Sequence, residues 1–176
     1  MTFQLFLWEV GCLLFTLVLG TLSHFFYDWS GKKEWVGIFT AVNESTWEHL
    51  KLLYFPMMFC TICEYATVGK DIPNFVFAKA AGLFFGLFLI VAIFYTYSGI
   101  VGKNFLAADI LTFFIGVTAA YGVSFNILLH RFCMKPECAY SGWVLMTVMV
   151  VAFLMFTKSP PKIALFRDPA TGRYGF

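Results

Sequence analysis

The sequence predicts an all-α integral membrane protein, a bundle of about five transmembrane helices. Hydrophobic residues occupy 60% of the 176 positions, charged residues only 12%, and the mean hydropathy is +0.79. A soluble domain carries about 25% charged residues, and a chain of this size could not hide its apolar surplus in one core. The net charge of +2 offers no basic face for nucleic acid. We therefore expect membrane lipids, and no nucleic acid, as partners.

Five apolar segments justify the number of helices. Crossing a bilayer takes about 20 apolar residues, and each backbone amide must be satisfied within its own segment. The segments cover residues 3–27, 45–67, 80–102, 104–129 and 139–157. The first contains Glu9, the second is free of charge between residues 52 and 63, and the fourth contains Asp109, whereas the third and fifth contain no charge. We expect a single helical domain over residues 1–176.

The distribution of basic residues predicts the orientation in the cell membrane. The chain meets Glu9 before any Lys or Arg, unlike a cleaved signal peptide. An outside amino terminus and a cytoplasmic carboxy terminus give the cytoplasmic side more basic residues, as the positive-inside rule requires. The cytoplasmic set is Lys32, Lys33, Lys103, Lys158, Lys162, Arg167 and Arg173, and the outer set is Lys70, Lys79, Arg131 and Lys135.

The tail, residues 158–176, contains Pro-Pro, Asp-Pro and Thr-Gly pairs that oppose a helix. We expect it to fold back over the cytoplasmic side of the bundle. Trp29, Trp35 and Trp47 are interpreted as anchors at the membrane interface.

Polar side chains of the first two segments are expected to meet at that cytoplasmic side. His24 and Asp28 lie one helical turn apart and share a face. Glu44 and Glu48 continue on the second segment, four residues apart, and Lys51 follows three residues later. Charges inside spans cost about 2.5 to 3.5 kcal/mol each on insertion scales, so those that persist are candidate functional groups.

This set of side chains favours a divalent-metal site. Imidazole and carboxylate ligands suit Zn, Mn or Fe, and a metal can generate a nucleophile from water near neutral pH. The candidate ligands are His24, Asp28, Glu44, Glu48 and His49, and the candidate catalytic residues are Glu44, Glu48, Lys51 and Asp109. Lys51 would steady an anionic group of the substrate. His49 lies about 100° around the helix from Glu48 and is expected to address a different neighbour.

Structural interpretations of the same residues remain open. Ser45 followed by Glu48 has the spacing of a capping box, and Asp109 could pair with Lys103 or Lys51. At the outer side, Glu64 could pair with Arg131. Cys133 and Cys138 could form an external disulfide, whereas Cys60 and Cys63 are interpreted as inert buried thiols.

Three segments carry a resemblance to a known family. They are Ser23-His24-Phe25-Phe26-Tyr27-Asp28-Trp29, the run Val42-Asn43-Glu44-Ser45-Thr46-Trp47-Glu48-His49-Leu50-Lys51, and Phe166-Arg167-Asp168-Pro169-Ala170-Thr171-Gly172-Arg173-Tyr174-Gly175. Together they resemble an uncharacterised family of small bacterial multi-pass membrane proteins with an Asn-Glu-Ser-Thr-Trp-Glu-His motif. The resemblance covers the whole chain and implies a fold without an established activity. Helical membrane hydrolases offer a looser analogy, but they have seven spans and a paired-His motif that this chain lacks.

The leading hypothesis is a membrane-embedded hydrolase that acts on a lipid or another amphiphile through a metal-binding pocket at the cytoplasmic interface. One alternative is a small transporter or channel for a cation or proton, favoured if the chain forms a homo-oligomer around a path. The other alternative is a structural or partner-binding membrane protein without chemistry. Helices three and five are nearly unbroken apolar runs, which favours a one-sided pocket over a path through the membrane.

Overall fold

The computed structural model describes residues 2–175, and over these residues the chain is helical, with no strand. Its α-helices are α1 (Thr2–Trp29), α2 (Glu34–Phe39), α3 (Thr46–Thr67), α4 (Phe75–Val101), α5 (Leu106–Leu129) and α6 (Pro136–Lys158). Short 3-10 turns cover Gly69–Asp71 and Ala164–Phe166. The predicted all-α membrane bundle is confirmed.

Four of these helices are long and apolar enough to cross a membrane. They are α1 over Phe3–Trp29, α4, α5 and α6. Large apolar side chains such as Val18, Phe88 and Val144 are exposed on their outer faces, as expected for surfaces that meet acyl chains. The protein is therefore a helical multi-pass membrane protein.

The second predicted span, α3, differs from the other four long helices. It does not belong to the apolar set, because it carries charged residues near both of its ends, Glu48, Lys51 and Glu64. At about 1.5 Å per residue its 22 residues cover a length similar to that of the other long helices. Most of α3 is buried, packed against α1 and α4. It forms the centre of the bundle.

The start of α4 and the connection before α3 differ from the sequence prediction. α4 begins at Phe75, not at residue 80, and so takes Lys79 into the helix. The predicted third span begins after Lys79, which places this lysine in an outer loop, but in the structure Lys79 is 1% exposed and paired with acids. The connection between α1 and α3 contains the short helix α2, which was not predicted.

The middle of the bundle is apolar and tightly packed. Leu53, Met57, Leu83 and Val117 are each 0% exposed. Tyr54 is also fully buried, and its hydroxyl donates to the Met146 carbonyl oxygen at 2.5 Å, so a polar group in the centre is satisfied.

The two ends of the bundle contain different features, a cavity at one end and a disulfide at the other. At the pocket end, α1, α4 and α6 end and α3 and α5 begin. At the opposite end, called the disulfide end, a disulfide joins Cys133 in the α5–α6 connection to Cys138 in the first turn of α6.

The tail packs against the pocket end. Phe166 is buried, and its ring lies 4.9 Å from that of Trp47 between centroids. Arg167 and Tyr174 form an antiparallel bridge, and Asn43 Nδ2 donates to the Gly175 carbonyl oxygen at 2.8 Å. The interpretation of Trp47 as an interface anchor is therefore wrong: the ring is buried in the core.

Candidate metal centre and its cavity

Three of the predicted ligands converge at the pocket end. His24 Nε2 lies 3.8 Å from Glu44 Oε1, and His49 Nε2 lies 3.5 Å from Glu44 Oε2. The rings of His24 and His49 meet edge to face with centroids 5.0 Å apart. One ligand atom from each of the three residues lies within 4.8 Å of the others. The arrangement is a carboxylate between two imidazoles.

Local hydrogen bonds place Glu44 and His49 in this cluster. Ser45 N donates to Asn43 Oδ1 at 2.9 Å, which fixes a turn around Glu44. Ser45 then caps α3 by accepting from Glu48 N at 3.4 Å, but the capping box is only half formed, because the Glu48 side chain accepts from Val42 N and not from Ser45 N. Glu44 thus lies before the helix begins, and the expected helical stripe of Glu44, Glu48 and Lys51 does not form.

His49 is oriented by its own backbone. Its Nδ1 lies 2.9 Å from the Ser45 carbonyl oxygen, which can only accept, so Nδ1 carries the hydrogen. In the neutral ring Nε2 therefore has a free lone pair, directed toward Glu44. Metal-binding histidines are held in this way, with the second ring nitrogen donating to a carbonyl or carboxylate.

A cavity of about 350 Å³ adjoins the cluster. One part of its wall is polar and the other is apolar. The polar part consists of Glu44, Thr46, His49, Asn104, Asp109 and Thr112, and the apolar part of Leu52, Ile90, Phe94 and Phe113. Pro169 and Ala170 of the tail complete the wall. The cavity is thus suited to a molecule with a polar head and an apolar body.

Asp109 lies in this wall, on α5, facing the same cavity as Glu44. Its Oδ1 accepts a hydrogen bond from the Tyr97 hydroxyl, and its Oδ2 accepts one from Asn104 Nδ2 at 3.1 Å. The expected pairing of Asp109 with Lys103 or Lys51 is replaced by these neutral donors.

Glu48 and Lys51 form a separate buried network. Lys51 Nζ donates to Glu48 Oε2 at 2.6 Å and to the carbonyl oxygens of Gly37 and Thr40 at 2.8 and 3.3 Å. Neither Glu48 nor Lys51 belongs to the described wall of the cavity. Among residues 2–175, no Lys or Arg lines the cavity, so the geometry gives Lys51 no route to a substrate anion.

Both carboxylate oxygens of Glu48 also accept hydrogen bonds from neutral donors. Val42 N donates to Oε2 at 3.2 Å, and Thr157 Oγ1 of α6 donates to Oε1 at 3.0 Å. His49, by contrast, addresses His24 and Glu44, so the expectation that Glu48 and His49 face different neighbours is confirmed. Asp28, the remaining predicted ligand, is exposed and stands outside the cluster of three.

Sequence reasoning missed a second ionic group, at the disulfide end. Lys79 of α4 lies 2.7 Å from Glu9 Oε1 and 2.6 Å from Glu64 Oε2. The suggested partner of Glu64, Arg131, is exposed and does not take this place. The sequence did contain an indication of this group, because an acid in an apolar segment, such as Glu9 or Glu64, is expected to pair with a cation.

Comparison with known proteins identifies the family to which the chain is similar. The model of the Family of unknown function (DUF6512) matches residues 4–176. No curated protein and no solved structure matches the chain. The match agrees with the resemblance to an uncharacterised family.

Proposed function

We propose that this chain, which belongs to that family of unknown function, binds one divalent transition metal through His24, Glu44 and His49 and uses it to hydrolyse an amphiphile held in the adjoining cavity. The convergence of these three ligand atoms from α1, the turn before α3 and α3 itself is the observation that carries the proposal.

The spacing of the donor atoms fits a metal. Bonds of about 2.1 Å at tetrahedral angles place neighbouring ligand atoms about 3.4 Å apart. The two histidines lie 3.8 and 3.5 Å from different oxygens of Glu44, Oε1 and Oε2, and one ligand atom from each of the three residues lies within 4.8 Å of the others, so small side-chain rotations would bring the three to this spacing. Two imidazoles and one carboxylate form a donor set used by catalytic zinc sites, which keep a further position for water.

The surroundings of the cluster suit hydrolysis. Its three side chains are each about one third to one half exposed, so solvent reaches the metal position. A divalent metal there would lower the free energy of forming hydroxide from water. Asp109 faces the same cavity and would accept a proton from the attacking water or bind a polar group of the substrate.

The charges of the cavity narrow the substrate class. Over residues 2–175, the wall of the cavity contains two carboxylates, those of Glu44 and Asp109, one imidazole, that of His49, and no Lys or Arg. A phosphate or carboxylate headgroup would be repelled unless the metal itself neutralised it. We therefore favour a neutral or cationic amphiphile with an ester or amide bond near its head.

The apolar middle of the bundle supports a one-sided pocket over transport. Leu53, Met57, Leu83 and Val117 are fully buried between the two ends. A polar path through one chain would need polar groups or water at this depth.

Metal binding is tested on protein purified in detergent, stripped with a chelator and reloaded with Zn, Mn or Fe. We expect one metal per chain by elemental analysis. Calorimetry should show an affinity loss of more than about 100-fold for His49→Ala and Glu44→Gln, since loss of an outer partner alone costs about 10- to 100-fold. His130→Ala is the matched control, because this exposed histidine lies at the disulfide end. Absence of bound metal, or affinity unchanged by Glu44→Gln and His24→Ala, would refute the proposal.

Hydrolysis is tested separately with neutral and anionic fluorogenic esters and amides in mixed micelles. Asp109→Asn should retain the metal and lower kcat. A variant that retains both metal and full activity would exclude Asp109 from the reaction.

A further inference from the structure

The ionic group at the disulfide end joins three helices. Glu9 on α1, Glu64 on α3 and Lys79 on α4 are 4%, 0% and 1% exposed, respectively. Lys79 Nζ lies within 2.7 Å of a carboxylate oxygen of each acid. Ser124 Oγ of α5 donates to Glu9 Oε1 at 3.2 Å. The group lies one to two helical turns inside the bundle.

Its charges do not balance if all three residues are ionised. Two carboxylates and one ammonium group leave one uncompensated negative charge in a buried site, which is strongly unfavourable. The pair at the pocket end differs, since Glu48 meets one lysine and further donors. The excess charge at the disulfide end must therefore be neutralised by something else.

Unpartnered oxygen atoms indicate where the neutralising ligand sits. Glu9 Oε2 and both carboxylate oxygens of Glu64 are buried without a hydrogen-bond partner, although Glu64 Oε2 is in ionic contact with Lys79. Glu9 accepts hydrogen bonds from both Lys79 and Ser124, which favour its ionised form. Glu64 has a single contact with a donor, Lys79 Nζ at 2.6 Å from its Oε2, and no second donor like Ser124 in the described part of the chain, so it is the more costly of the two to ionise.

A proton fits this place better than a metal cation. The Lys79 ammonium group already lies at hydrogen-bonding distance from both carboxylates and would repel a second cation beside it. We propose that the Glu9, Glu64 and Lys79 group is a proton-binding site, in which Glu64 holds one exchangeable proton at neutral pH while Glu9 and Lys79 form the ion pair.

Other titratable groups face the same site. Cys12 comes from α1, Cys60 from α3 and Tyr121 from α5. Tyr121 is hydrogen-bonded to Thr16 at 2.8 Å, and its ring lies 5.6 Å from Lys79 Nζ. A thiol or a phenol is either neutral or negatively charged, so none of these three groups can neutralise the excess negative charge.

Infrared spectroscopy tests the proton directly. The probe is native protein in lipid bilayers, in water and in deuterium oxide. We expect a carboxylic-acid C=O band at neutral pH that shifts on deuteration and is absent in Glu64→Gln. Glu9→Gln should also abolish the band, because Glu64 then becomes the single counterion of Lys79 and ionises. Lys79→Met should enlarge it about twofold, because both acids then lack a cation.

Two controls give the assignment. Glu48→Gln removes a buried acid that is matched one to one with a lysine and should leave the band unchanged, as should the exposed Glu137→Gln. Circular dichroism and gel filtration select the folded variants, and Glu9→Gln gives an independent answer if Glu64→Gln does not fold. Absence of the band in folded native protein, or a band that persists in both Glu9→Gln and Glu64→Gln, would overturn the proposal. A band lost when choline is replaced by sodium would assign a metal cation to the site and would also overturn it.

Discussion

Replacing Lys51 by methionine removes the cation with which Glu48 pairs in the interior. The change eliminates the 2.6 Å ion pair and the bonds to the Gly37 and Thr40 carbonyl oxygens. Glu48 is 2% exposed and would retain only neutral donors. Breaking a buried pair by removing one partner costs about 3 to 5 kcal/mol, because an uncompensated charge stays behind. We expect a loss of that size in the free energy of unfolding.

The double variant Glu48→Gln with Lys51→Met separates charge burial from packing. It removes both charges while keeping side chains of similar volume, so it should recover part of the lost stability, because replacing both members of a buried ion pair costs much less than removing one. The assay is unfolding of the protein in mixed micelles by increasing denaturing detergent, followed by circular dichroism. Lys33→Met, which changes an exposed lysine, should stay within about 0.5 kcal/mol of the native protein. The reasoning is refuted if Lys51→Met costs less than about 1 kcal/mol or if the double variant is no more stable than Lys51→Met.

Three further predictions concern packing, the tail and the cysteines. Gly82→Ala places a methyl group against the Ala120 carbonyl oxygen of α5 and should cost about 1 to 3 kcal/mol in the same unfolding assay, whereas Gly99→Ala, which meets open space, should not destabilise. Phe166→Ala should free the tail from Trp47 and speed the labelling of a cysteine introduced at Ala170 by a water-soluble maleimide; equal labelling rates would contradict the docking. Mass spectrometry after maleimide treatment of denatured protein should count three thiols without reductant and five after reduction, and five in both cases would exclude the disulfide.

The helices could be predicted from composition, but their partners could not. Long apolar runs fix where α1, α5 and α6 lie, since only a helix satisfies the backbone in lipid. A charged residue in such a run indicates a buried position, but the run does not show which residue is its counterion. The sequence therefore placed Lys79 in a loop and suggested Arg131 as the partner of Glu64. In the structure Lys79 of α4 contacts Glu64 of α3.

Part of the cluster of His24, Glu44 and His49 could be predicted from the sequence, because its residues lie close to one connection of the chain. α1 ends and α3 begins at the same end of the bundle, so His24, near the end of α1, is expected near Glu44 and His49, at the start of α3. Glu48 was grouped with these ligands by spacing alone. Because Ser45 caps α3, Glu44 lies outside the helix, whereas Glu48 lies in its first turn and is buried. Residue spacing alone does not show where the helix begins.

The polarity of α3 has a consequence for biogenesis. Each ionised side chain costs about 2.5 to 3.5 kcal/mol when a helix enters lipid alone, and α3 brings Glu48, Lys51 and Glu64. Glu48 and Lys51 pair with each other within α3, whereas Lys79, whose ammonium group contacts the carboxyl group of Glu64, is synthesised only afterwards, on α4. We infer that the nascent α3 waits at the bilayer surface until α4 leaves the translocon, and that a ribosome stalled before Lys79 would leave α3 uninserted.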